Sequence, residues 1–187
     1  MKKHKCGWCV GDDLYEAYHD KEWGTPIYDD HSLFEFLILE TFQAGLSWIT
    51  ILRKRENFRE AFDFFDYKKI AKYDEDKKNE LLQNAGIIRN KLKVNATITN
   101  AQSFLKIQEE FGSFSKYIWA FVDGKPIKNK LKNHKEAPAN TPLSNTLSKD
   151  LKKRGFKFVG STVVYALMQA TGMVNDHEVE CFRYNEV

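Results

Sequence analysis

Apolar residues recur at helical spacing along most of this chain. In HSLFEFLILETFQAG, residues 31–45, positions 33, 36, 37, 40, 41 and 44 fall on one face, and the spacing predicts a helix from Ser32 to Ala44. Ser32 stands three residues before Glu35, the pattern of a capping box, and Gly45 follows as a stop. SWITILRKRENFREAF, with Trp48, Ile51, Leu52, Phe58 and Phe62 near the same spacing, predicts a further helix. DEDKKNELLQNAG ends on Gly86 as a helix ends on a left-handed glycine, and NKLKVNATITNAQSFLKIQEEFG resumes with Val94, Ile98, Ala101 and Leu105 on one face. Joined by the tight apolar turn AGII, these two form a helical hairpin. SFSKYIWAFV, LSNTLSKDLKKRG with its Leu143, Leu147, Leu151 stripe, and GSTVVYALMQATG complete an all-α chain. No stretch alternates long enough to predict a sheet, FKFV being too short. Only residues 123–142, which hold three of the four prolines, read as an extended polar connection.

At 187 residues the chain is long enough to bury a substantial core, and residues 1–187 are taken as one domain. No apolar run approaches the roughly 20 residues of a membrane-spanning helix, and MKKHKCGWC lacks the apolar core of a secretory signal, which points to a cytoplasmic protein with no membrane partner. The net charge of +3 hides an uneven distribution. From Lys125 to Lys157 there are ten basic residues against Glu136 and Asp150, a local +8, while the remainder carries 19 basic against 24 acidic residues. A basic sector on a mildly acidic protein is the footprint of a polyanion-binding face, or simply a solvated loop and helix surface.

Glu40 is the most informative acid. It lies on the stripe Leu33, Phe36, Leu37, Glu40, Thr41, Ala44, so a carboxylate is placed on an apolar face and must be paired, protonated or used. The alternatives are a helix-bridging ion pair with Arg53, Arg55 or Arg59, and a functional acid to which Gln43 could add an amide. Trp8, Tyr15, Tyr18, Trp23 and Trp48 cluster around it in sequence. Such aromatics pack cores, and near a buried acid they also make a base-stacking pocket.

CGWC, residues 6–9, suggests either a redox dithiol or half of a metal site. Three cysteines in a cytosolic chain argue against a disulfide scaffold, and a redox motif is expected beside a βαβ pattern that is not found here. HEVEC places His177 four residues before Cys181, one side of a helical turn, and His19 lies in AYHD. Two such donors near each chain end can form a tetrahedral zinc site that clips the termini together, although the spacing matches no zinc finger. His4, His31 and His134 lie in polar surroundings and are given no role.

CGW, DDLYEAYHDKEWGTPIYDDHSLFEFLILETFQAGLSWITILRKRENF, AGIIRNKLK, LSKDLKKRGFKFVGST and GMVNDHEVEC together resemble the DNA-3-methyladenine glycosylase I family, bacterial alkylation-repair enzymes. The likeness runs from Cys6 to Cys181. It implies an all-α relative of the helix-hairpin-helix glycosylases in which LLQNAGIIRNKLK grips DNA backbone. It implies a structural Zn2+ on Cys6, His19, His177 and Cys181, with Cys9 at a position where the family uses no cysteine ligand. It implies a base pocket of Glu40 with Trp8, Tyr15, Tyr18 and Trp48, no general base, and release of 3-methyladenine from alkylated double-stranded DNA by base flipping, leaving an abasic site. The protein is expected to act as a monomer. A zinc-stapled protein that binds damaged DNA without cutting the glycosidic bond is the alternative from another class.

Overall fold

The computed structural model describes residues 3–187, so the first two positions of the expected domain lie outside it. Ten helices follow one another: α1 Asp13–Lys21, α2 Asp30–Gln43, α3 Trp48–Arg53, α4 Arg55–Ala61, α5 Tyr67–Ile70, α6 Glu75–Gln83, α7 Lys91–Phe111, α8 Phe114–Trp119, α9 Pro142–Lys153 and α10 Ser161–Ala170. Helix α2 is the centre. Its residues 33–42 are all buried, and α3, α7, α8 and α10 pack around it. A helix covered on every side needs no polar face, so the one-sided stripe expected here is wider than a stripe. Among the described residues no helix is long and apolar enough to cross a membrane.

The helical reading holds, with local corrections. The start of α2 is capped by Asp29, whose carboxylate accepts from Ser32 N at 2.8 Å, so Ser32 sits inside the first turn and Glu35 is free for other use. The helix expected over residues 47–62 breaks at Lys54 (φ −100°, ψ 0°) into α3 and α4. Helix α6 ends at Asn84 in extended backbone, and Gly86 is not left-handed; it serves the turn through its amide, which donates to Asn84 Oδ1, and its carbonyl, which accepts from Asn57 Nδ2. Gly112 after α7 does take the left-handed conformation at φ 85°. Of the apolar stripe on α7, Val94, Ile98 and Ala101 are buried while Leu105 is half-buried.

One small sheet was not expected. β1 (Ile127–Lys128) pairs in parallel with β2 (Val174–Asn175), and Leu131 bridges to Glu178 just beyond. Pairing two residues long leaves no readable alternation. It lays the polar connection before α9 along the segment after α10, and so shapes the site.

Candidate active site

The start of the chain, α1, α2 and α3 meet at a cavity of about 240 Å³. That is several times the roughly 30 Å³ share of one water in the liquid, enough for a flat ring. Trp8 comes from the segment before α1, Tyr15 and Tyr18 from successive turns of α1, Glu40 and Gln43 from successive turns of α2, and Trp48 from the first residue of α3. All five residues expected to form the pocket therefore line it. The aromatic walls brace one another: ring centroids are 4.8 Å apart for Trp8 and Tyr15, 5.0 Å for Trp8 and Trp23, and 5.6 Å for Tyr18 and Trp48.

The remaining wall could not be foreseen from the sequence. Ala166 and Gln169 of α10, Asp176 after β2, and His134 and Ala137 of the polar connection complete the lining. Asp176 accepts from Tyr165 Oη at 2.6 Å, Gln169 Nε2 at 2.8 Å and Asn129 Nδ2 at 2.7 Å. His134, which its polar surroundings left without a role, is a wall residue. Asp176 falls inside NDHEVEC, a stretch the sequence singled out only for His177 and Cys181.

The ion pairs decide what Glu40 is. Arg55 and Arg59 both bond Glu35, at 2.6 Å from Arg55 Nε and 2.8 Å from Arg59 Nη2, and Arg53 reaches Asp12 at 2.6 Å. None of the three arginines within helical reach is left for Glu40. It is 3 % exposed, its Oε2 has no hydrogen-bond partner, and burial alone pushes its carboxyl up to about 8, so at neutral pH it is mostly uncharged. Tyr18 is pushed well above the ordinary phenol value by burial and then by Glu40. Five buried side-chain polar atoms among the described residues lack a partner, and four of them, Trp8 Nε1, Tyr18 Oη, Glu40 Oε2 and Trp48 Nε1, belong to residues lining this cavity. Each unmade bond costs about 1–3 kcal/mol, so a cavity holding four is built for a polar-edged occupant.

Lys93 secures this wall. Its ammonium, on a residue 5 % exposed, donates to Phe42 O at 2.7 Å and Ala44 O at 2.6 Å, satisfying carbonyls at the end of α2. Burial lowers its pKa.

Next to the pocket, Cys6, His19, His177 and Cys181 bring four donor atoms within 4.8 Å of one another, all buried. Cys6 Sγ is 3.5 Å from His177 Nδ1, Cys181 Sγ is 3.4 Å from His19 Nε2 and 3.7 Å from His177 Nδ1. A tetrahedron with metal–sulfur bonds of about 2.3 Å and metal–nitrogen bonds of about 2.0 Å has sulfur–nitrogen edges of about 3.6 Å, so the set fits a cation. The second nitrogen of each ring is engaged, His19 Nδ1 with Asp20 Oδ1 at 2.8 Å and His177 Nε2 with Trp23 O at 3.1 Å, which fixes which nitrogen faces the cluster. The hydrogen bond between the two thiols pushes Cys6 up and pulls Cys181 down. His177 and Cys181 are not on a helix: His177 lies just before the bridge at Glu178, and Cys181 at a bend just after the turn of residues 179–180. Cys9 stands outside the cluster, its thiol donating to Cys6 O at 3.2 Å, so CGWC does not present a facing dithiol.

The fold and the cavity define a helical protein with an aromatic, acid-bearing pocket. The chain belongs to the methyladenine glycosylase family, whose model matches residues 8–184, and it is a glycosylase, a hydrolase of N-glycosyl bonds. DNA-3-methyladenine glycosylase 1 of Escherichia coli (strain K12) is 49% identical over 180 residues, covering 96% of each chain. A crystal structure of 3-methyladenine DNA glycosylase I superposes with a TM-score of 0.93 at 50% identity, over 96% of this chain and 98% of that one. A variant of 3-methyladenine DNA glycosylase I in complex with 3-methyladenine gives a TM-score of 0.92 at 37% identity, over 95% and 96% of the two chains.

Proposed function

We propose that the chain removes 3-methyladenine from alkylated double-stranded DNA, flipping the damaged nucleotide into the aromatic pocket, hydrolysing its N-glycosidic bond and leaving an abasic site. One observation carries this: Glu40, buried and without a partner, lines an aromatic-walled cavity together with three other residues that each carry an unpaired buried polar atom. The names of its relatives supply the substrate.

An adenine alkylated at N3 is cationic while still bonded to the sugar. Tyr18 and Trp48 pack against its faces, Trp8 and Tyr15 close the sides, and Glu40 accepts from the exocyclic amine and ring edge. A cation beside Glu40 favours the carboxylate, so base binding at neutral pH releases a proton from an acid that was mostly uncharged. As the glycosidic bond breaks, its electron pair stays with the base and neutralises it; water adds to the sugar carbon and gives up one proton to the solvent. The leaving group is already good, so the site needs electrostatic fit more than a strong general base. Neutral adenine has neither the charge nor the weakened bond.

The four-donor cluster holds a structural Zn2+ that joins the chain ends. The turn between α6 and α7 and the lysines of α9, Lys149, Lys152 and Lys153, take the phosphates, giving salt-dependent affinity. Arg154 is already committed to Glu110 and Asp150 and contributes less. The whole chain acts as one domain, as a monomer, in the cytoplasm.

The test is to incubate the purified protein with methylated DNA and identify the released bases by chromatography. Selective release of 3-methyladenine, with 7-methylguanine retained, is expected. A folded, zinc-loaded protein that releases no base refutes the proposal.

A further inference from the structure

None of residues 123–140 is buried, so packing does not fix the connection that carries His134 and Ala137 into the pocket wall. Hydrogen bonds fix it instead. Along the backbone Ile127 N donates to Met173 O at 2.9 Å, Asn129 N to Asn175 O at 3.1 Å, and Val179 N to Leu131 O at 2.8 Å. Glu178, only 6 % exposed, adds the tie nearest the pocket: its Oε1 accepts from His134 N at 2.9 Å and lies 3.0 Å from His134 Nδ1. The same oxygen accepts from Gly7 N at 3.1 Å, and a Cβ on Gly7 would stand 3.0 Å from His134 Cε1. One buried carboxylate thus joins the residue before Trp8, the turn between His177 and Cys181, and the strap over the pocket.

We propose that Glu178 and His134 are positioning residues that hold this strap as a wall of the base pocket and thereby set its affinity for the flat base, an inference that rests on the base-pocket reading above. A segment with no buried side chain opens at the cost of a few hydrogen bonds, so its closed position is as firm as its ties. Gly7 and His134 share one acceptor, so losing it frees the strap and loosens the backbone next to Trp8 together. Trimming the Glu178 side chain leaves its backbone amide still donating to Cys6 Sγ, so the metal cluster keeps that bond.

The test compares His134→Ala, Glu178→Ala and His134→Asn with the parent chain, zinc content being measured for each. Asparagine keeps an N–H near the position of Nδ1. Two readouts are taken: acrylamide quenching of tryptophan emission, since Trp8, Trp23 and Trp48 line the pocket, and the equilibrium affinity for free 3-methyladenine. Both alanine variants should quench more readily and bind the base about tenfold more weakly, the worth of one well-placed hydrogen-bonded tie, while His134→Asn stays near the parent. In excision assays the loss should fall on KM more than on kcat. Alanine variants that quench and bind like the parent, or an asparagine variant as impaired as alanine, overturn the inference. A parent chain that binds no 3-methyladenine sinks the functional reading alone, and the quenching comparison still decides the strap.

Discussion

At Glu40 the chain holds an acid that only burial perturbs, and the sign of the resulting pH dependence follows directly. The carboxyl titrates near 4.5 in the unfolded chain and near 8 in the folded one. Between those values the folded state binds more protons, so stability falls as pH rises and levels off above about pH 8. At about 1.4 kcal/mol per unit, the penalty is on the order of 3 kcal/mol by pH 7. Glu40→Gln keeps the shape and removes the slope. Denaturant unfolding should find the variant more stable than the parent at pH 8, with the difference vanishing toward pH 4.5, while excision falls by about a hundredfold through loss of a preorganised charge partner. Superimposable stability profiles would mean that Glu40 titrates in the folded chain as it does in the unfolded one. The sequence placed this acid on a buried face but left its partners open, because Arg53, Arg55 and Arg59 all lay within reach of a helical argument. Only the folded chain shows that Asp12 and Glu35 take all three.

Helix α2 owes its end to a residue fifty positions away. Lys93→Met would leave the buried carbonyl of Phe42 and the half-buried one of Ala44 without this donor, a loss of about 2–4 kcal/mol. Thermal unfolding should show a midpoint lower by roughly 5–10 °C. Because Gln43 and Trp48 flank that end, excision should drop as well; an unchanged midpoint would show that the carbonyls find water or another donor. Most helices were legible, since period 3.6 is a local signal, but α1 and the short α5 were not among those the pattern picked out. Boundaries were less so: Lys54 breaks a continuous pattern, Asp29 outcompetes Ser32 for the cap, and Gly86 is used for its amide and carbonyl, not for a left-handed turn. The strap and the pair of two-residue strands were illegible, because hydrogen bonds between residues some 45 positions apart leave no periodicity.

Across the whole molecule, the two ends of the chain close on each other through four donors. Cys6 and His19 on one side and His177 and Cys181 on the other span nearly the entire sequence, a long loop whose closure cost the unfolded chain must otherwise meet. Stripping the cation with a strong chelator should lower the thermal midpoint by about 10 °C or more and expose Cys6 and Cys181 to alkylation detectable by mass spectrometry, both reversed by added zinc. A chelated protein with the same midpoint and unreactive thiols would show that the cluster stands without metal. The donors were legible by residue type and by family resemblance, but their convergence was not, since the spacing of the ligands says nothing of the fold between them. The concealment of sulfur matters in another way. Agents that methylate the ring nitrogens of DNA also attack thiolates, the strongest nucleophiles a protein offers. Cys6, Cys9 and Cys181 are each no more than 2 % exposed. The fold therefore shows such agents no cysteine on its surface, so a folded chain is spared the thiol alkylation that an unfolded one would suffer.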